Sequence, residues 1–170
     1  MAEEQVDVVD ADDRVVGQAA RSEVRVRNLR HRATYILLFN SRGQLFVHLR
    51  SPAKDIYPSH YDVAVGGVVA AGETYDSAAR RELAEEVGVR EAPLRGIVAF
   101  QFENADNRVN GQVYSCTWDG PLALQAEEIV SGEWLDLDQV LERTQHAPFC
   151  PDGIEALLRY LDRLASVQQP

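Results

Sequence analysis

Residues 67 to 89 decide the fold: Gly67-Val-Val-Ala-Ala-Gly72-Glu73-Thr-Tyr-Asp-Ser-Ala-Ala-Arg-Arg81-Glu82-Leu-Ala-Glu85-Glu86-Val-Gly88-Val89. The front of this stretch, with Gly66 just before it, carries too many glycines for regular helix. The back, from Thr74 to Val87, lacks Gly and Pro and is rich in Ala, Arg, Glu and Leu, all good helix formers. Thr74 suits the N-cap, Asp76 puts negative charge in the first turn, and Gly88 suits the left-handed end. A glycine loop therefore feeds a helix of about four turns.

At about 100° per residue, Glu86 lies about 40° to one side of Glu82 and Glu85 about 60° to the other. Three carboxylates share one stripe, while Ala79, Leu83 and Val87 form an adjacent apolar stripe that can face a core. Like charges at this spacing repel unless something neutralises them. A hard divalent cation such as Mg²⁺, which prefers carboxylate oxygens and water, would do so. A solvated acidic face is the other reading, and the three glutamates alone leave both open.

The spacing of Gly67, Glu73, Arg81, Glu82, Leu83, Glu85, Glu86, Gly88 and Val89 resembles the Nudix box at each of its defined positions. The resemblance implies an α/β/α sandwich with a mixed sheet. It also implies metal-dependent hydrolysis of a diphosphate linkage, in a nucleoside diphosphate joined to another group or in a nucleoside di- or triphosphate. Mg²⁺ is the expected cofactor, with Mn²⁺ as a substitute. By this resemblance Glu82, Glu85 and Glu86 hold the metal, and Glu85 and Glu86 count also as catalytic. Gly66 or Gly67, with Gly67 preferred, offers a backbone carbonyl to it. Glu73 and Arg81 form a supporting ion pair between loop and helix. Arg50 matches a basic residue that meets substrate just after a central strand. An extra acidic residue often comes from a loop beyond the box, where Glu127 and Glu128 stand as candidate general bases; Glu103 and Asp106 are weaker candidates.

A narrower resemblance lies in Asn28-Leu29-Arg30-His31-Arg32-Ala33 and the hairpin before it, which look like isopentenyl-diphosphate isomerase, a Nudix-fold enzyme. His31 would match one of its metal-binding histidines. That enzyme's catalytic cysteine has no counterpart between Ser51 and Thr74, where Ala64 and Val65 stand instead. The expectation is therefore a hydrolase of an isomerase-like subgroup, with isomerase chemistry or a non-catalytic nucleotide-binding module as alternatives.

The chain has 170 residues and a net charge of −10 from 17 basic and 27 acidic residues. One domain over 1–170 is expected. The charge disfavours a nucleic-acid or membrane-surface partner and leaves a small diphosphate-bearing molecule. The acidic start does not read as a signal peptide, and nothing reads as a membrane span. Cys116 and Cys150 lack metal-type spacing, so a reduced cytoplasmic protein is expected, as monomer or homodimer.

Outward from the box, Val6–Ala19 reads as a β-hairpin, and Ser22–Arg30 reads as a short helix that Ser22 could cap, with the alternation of Val24 and Val26 leaving a strand as the other reading. Arg21, Arg25, Arg27, Arg30 and Arg32 cluster there. Most read as a solvated basic face, with one or two, Arg32 among them, available to substrate phosphate. Thr34–Asn40 and Gln44–Leu49 make a central hairpin, and Asp62–Val65 a strand into the glycine loop. Tyr57, His60 and Tyr61 precede that strand and either pack or stack on a base. Leu94–Glu103, Val109–Trp118 and Ile129–Leu135 read as further strands, with helices over Asp136–Thr144 and Ile154–Val167.

Overall fold

A computed structural model describes residues 2–169. The chain opens with an antiparallel hairpin, β1 (Gln5–Val9) and β2 (Val15–Ala20), and passes into the short helix α1 (Arg21–Arg27). Then come β3 (His31–Phe39), β4 (Leu45–Arg50), β5 (Tyr61–Asp62) and the box helix α2 (Tyr75–Val87). Strands β6 (Arg95–Glu103), β7 (Arg108–Thr117) and β8 (Ile129–Leu135) precede helices α3 (Leu137–Arg143) and α4 (Pro151–Val167).

Strand β3 is the axis of the sheet. It is almost wholly buried, the pattern of a strand covered on both faces. Tyr35 and Leu37 enter one core with Ala156 and Leu157 of α4, and Ile36 and Leu38 enter another with Ala79, Leu83 and Val87 of α2. Helices thus cover both faces of one mixed sheet, an α/β/α sandwich with an N-terminal β-hairpin. The mixture arises because β3 runs parallel to β7 from His31↔Val109 to Phe39↔Thr117, while its pairings with β1 and β4 are antiparallel.

Strands β3 and β4 meet at Phe39↔Leu45 and then diverge. The glycine segment fills the space. Ile36 and Val65 exchange backbone N–H···O bonds of 2.7 and 2.9 Å, Thr34 N–H donates to Gly67 O at 2.9 Å, and Val69 N–H donates to Arg32 O at 3.0 Å. The expected strand Asp62–Val65 is therefore split. It ends at Asp62 on β4, and the chain bends so that Val65 pairs with β3 instead. Two helix starts also differ from expectation. Ala20, not Ser22, is the N-cap of α1, and α4 begins at Pro151, whose missing N–H costs nothing at the first helical position.

Candidate active site

The loop before α2 is shaped by contact with β3. At Gly66, φ is 146° and a Cβ would stand 2.1 Å from the Thr34 carbonyl oxygen, so only glycine fits. A Cβ at Gly67 would stand 2.9 Å from Glu82 Oε1, so its absence lets the Glu82 carboxylate lie against the loop. Helix α2 starts in a capping box in which Thr74 Oγ1 accepts from Ser77 N–H at 3.1 Å, and it ends at left-handed Gly88, φ 74°. Arg81 binds Glu73 through two parallel bonds of 2.9 Å and donates to Val68 O at 3.3 Å, while Glu73 Oε2 accepts from Ala70 N–H at 3.1 Å. A bidentate pair of this kind fixes orientation as well as distance, and here it locks the loop onto the helix.

Glu82, Glu85 and Glu86 point into one cleft of about 210 Å³ with Gly66, Gly67, Gln125 and Glu128 on its walls. Glu128 arrives by backbone pairing. Ala123 and Gln125 donate to the terminal helix carbonyls of Val87 and Glu86, both at 2.9 Å, and Ser51 N–H donates to Glu128 O at 2.9 Å. Of the three cations on the cleft wall, Arg21 pairs with Glu4 and the other two pair with these carboxylates. Arg81 Nη1 lies 2.7 Å from Glu82 Oε1 and 3.4 Å from Glu85 Oε2, and Lys54 Nζ is ion-paired with Glu128.

The glutamates differ sharply in environment. Glu85 is half exposed, at 52% of its side chain, and Glu82 is 14% exposed. Glu86 is 4% exposed, and its carboxylate accepts no hydrogen bond from any described residue. Burial, then the nearby Glu82 charge, pushes the Glu86 carboxyl well above its usual range, and burial raises Glu82 despite Arg81. Among the described residues no three His, Cys, Asp or Glu side chains stand as a ready cage, and Glu82, Glu85 and Glu128 are paired with Arg81 and Lys54. The donor set nevertheless fits a hard divalent cation: all donors are oxygens, and the most buried one lacks a partner.

Behind Gly66 and Gly67 lies an inner chamber that shares these glycines, Arg21 and Lys54 with the cleft. His31, Tyr35, Asp62, Cys150 and Asp152 line its interior. Asp152 Oδ2 accepts from Tyr35 Oη at 2.8 Å and Asn107 Nδ2 at 3.1 Å. Burial raises Asp62 to about 6, against the Arg50 guanidinium 3.8 Å away. Burial also lowers His31 to about 4, and its Nδ1 lies 2.9 Å from Leu29 O. His31 lines the chamber and not the cleft, so it does not extend the glutamate set.

Several site residues sit elsewhere than the sequence suggests. The Gly67 carbonyl accepts from Thr34 N–H at 2.9 Å, whereas no hydrogen bond from a described residue reaches the Gly66 carbonyl, so of the two Gly66 has the freer oxygen. Arg32 lines neither cavity. Its guanidinium binds Asp13 Oδ1 at 3.0 Å and the Asp13 carbonyl at 2.6 Å, in the turn between β1 and β2. Arg50 reaches the chamber, but it donates to Ile56 O at 2.9 Å and Tyr57 O at 3.3 Å and so holds the following loop. Glu127 is exposed and outside the cleft, and only its neighbour Glu128 enters. The basic face of α1 is only partly solvated, because Arg21 and Arg25 turn inward onto Asp55 at 2.8 and 3.2 Å. Lys54 was not singled out from sequence, although it is the only lysine among the 17 basic residues.

The NUDIX domain family model matches residues 29–157. An uncharacterized Nudix hydrolase of Pseudomonas aeruginosa is 46% identical over 154 residues, covering 91% of this chain and 91% of its own. The uncharacterized Nudix hydrolase YfcD of Escherichia coli is 38% identical over 162 residues, covering 95% of this chain and 89% of its own. The crystal structure of DR0079 from Deinococcus radiodurans superposes with a TM-score of 0.81 at 34% identity, covering 92% of this chain and 99% of that one. The NUDIX domain of Shewanella oneidensis NrtR, solved with ADP ribose, shares the fold at a TM-score of 0.65 and 15% identity, covering 86% and 99%. The isopentenyl-diphosphate-isomerase-like subgroup finds no support in these relatives. Of the two cysteines, Cys116 is buried in β7, and burial drives Cys150 far up in pKa, away from a reactive thiolate. The chain belongs to the Nudix hydrolase family, whose members generally hydrolyse nucleoside diphosphate derivatives with divalent metals.

Proposed function

We propose that this protein hydrolyses a diphosphate linkage in a nucleoside diphosphate derivative or a nucleoside di- or triphosphate, with Mg²⁺ as cofactor and Mn²⁺ able to replace it. The observation that carries this reading is the convergence of Glu82, Glu85, Glu86 and Glu128 on one cleft beside the Gly66–Gly67 loop. The glutamates of α2 and the Gly66 carbonyl would hold the cation, which supplies charge neutralisation at the diphosphate and polarises the phosphorus under attack. Glu73 and Arg81 hold the loop in register with the helix. Glu128 takes a proton from water as the water oxygen bonds to phosphorus. The bridging P–O bond breaks, the leaving phosphate keeps its electron pair, and two phosphate-bearing fragments result. Arg50 anchors the loop that walls the substrate side.

The substrate is a small molecule, in keeping with the ADP ribose carried by the Shewanella domain and with a net charge of −10 that repels nucleic acid. No helix among the described residues is long and apolar enough to cross a membrane. We read the chain as one catalytic domain acting in the cytoplasm as monomer or homodimer. The test is a panel of nucleoside di- and triphosphates, nucleotide sugars and dinucleotide polyphosphates incubated with Mg²⁺, with products separated by anion exchange. At least one should yield two phosphate-bearing products. A panel with none would overturn the reading.

A further inference from the structure

Lys54 stands where the acidic cleft meets the inner chamber and lines both. Its side chain is 12% exposed, and its Nζ is paired with Glu128. The other cations at this junction are multiply fixed. Arg21 binds Glu4 and Asp55, Arg25 binds Asp55 and Asn107, and Arg50 binds two carbonyls beside Asp62. Lys54 and Glu128, by contrast, have no other side-chain partner than each other among the described residues. The residue type is itself informative, since every other basic side chain of this kind in the chain is arginine. A guanidinium would grip Glu128 with a planar fork, whereas an ammonium is a compact charge with rotatable donors that exchanges partners readily.

We propose that Lys54 is a ligand of the substrate's phosphoryl oxygens, and that in moving to them it releases Glu128 to act on the attacking water. The inference rests on the hydrolase reading of the cleft. Before substrate arrives, Glu128 is masked by Lys54. The incoming phosphate, more highly charged than a carboxylate, draws the ammonium away and leaves Glu128 with free oxygens facing the reacting phosphorus. Substrate binding and exposure of the base become one event.

The single lysine makes the test direct. Wild-type protein is acylated with an amine-reactive ester in Mg²⁺, with and without methylenediphosphonate, a diphosphate that cannot be hydrolysed. Peptide mass spectrometry then compares Lys54 with the terminal α-amino group as internal control. Acylation of Lys54 should fall about tenfold or more with the diphosphonate, and Lys54→Met should weaken diphosphonate binding and raise KM by about tenfold or more, as expected for losing a charge-assisted bond. Lys54→Arg should recover that affinity only in part and still less of kcat, because its planar fork holds Glu128 more firmly than an ammonium does and so gives it up to the phosphate less readily. Unchanged Lys54 acylation with diphosphonate would overturn the proposal. So would a Lys54→Met variant with lowered kcat but unchanged diphosphonate affinity and KM, which would make the lysine a structural lock. Failure of the hydrolase reading itself would look different: no Mg²⁺-dependent product from any diphosphate, whatever stands at position 54.

Discussion

The acidic cleft and the inner chamber share a wall but handle buried charge in opposite ways. In the chamber each carboxylate has partners. Asp152 accepts from Tyr35, Asn107 and its neighbour Gly153 N–H, the last at 3.1 Å, and Asp62 accepts from Ala64 N–H at 3.1 Å and faces Arg50. In the cleft the most buried carboxylate, Glu86, has none. A satisfied polar network rigidifies a fold, while a partly satisfied one raises the energy of the folded state. The chamber therefore reads as finished architecture and the cleft, on the proposed function, as a site that a bound cation would complete.

The contrast is sharpest in paired substitutions. Glu86→Gln should cut turnover by about a thousandfold or more, in the range seen when a group that offsets transition-state charge is lost. It should also leave the metal-free protein at least as stable, because it removes a charge that burial and the Glu82 carboxylate disfavour. Asp152→Asn should do the reverse, costing about 1–3 kcal/mol by disturbing a satisfied buried network while leaving turnover within a few-fold. Steady-state kinetics and urea denaturation of both variants check this. Two variants that lose stability equally would erase the distinction between the regions.

Within the cleft the next largest effect separates two adjacent glutamates. Glu128→Gln should lower kcat about a hundredfold at saturating Mg²⁺ and substrate, the lower range for losing a general base, and Glu127→Gln should stay near wild type. Equal rates in both variants would send the base role to another group.

These contrasts also mark what could be read from the sequence. The box was legible because helical periodicity is local: Glu82, Glu85 and Glu86 must share a face wherever the helix lies, and Thr74 and Gly88 bound it through their own backbone chemistry. The choice between Glu127 and Glu128 was not legible, since it depends on Gln125 pairing with Glu86 and Ser51 pairing with Glu128. Arg32 was misplaced for a similar reason: its partner, Asp13, lies nineteen residues away in a turn at φ 63°. The chamber draws on residues from Arg21 to Asp152, and no local pattern announces such an assembly. Lys54 did carry a signal, being the sole lysine of an arginine-rich chain.

A smaller effect concerns acid. His48, buried in β4, has an unpartnered Nδ1, and burial followed by the Arg50 and Lys54 charges lowers it to about 3. Its folded value lies below the ordinary 6.5, so as pH falls the unfolded chain takes up the proton first. Stability is fully present above about 6.5 and falls from there toward about 3, with a slope on the order of 1 kcal/mol per pH unit. Denaturation midpoints at pH 7 and pH 5 should differ more for wild type than for His48→Phe. Equal differences in the two proteins would remove His48 from the acid response.

The central claim is that the carboxylates of α2 hold the metal on which turnover depends, and the most direct test is the Mg²⁺ activation curve of wild type beside Glu82→Gln. The wild type should be inactive in chelator and recover fully on adding Mg²⁺, and the variant's half-activating concentration should rise by about tenfold or more for the loss of one charged ligand. Full turnover in chelator, or the same half-activating concentration in both proteins, would contradict it.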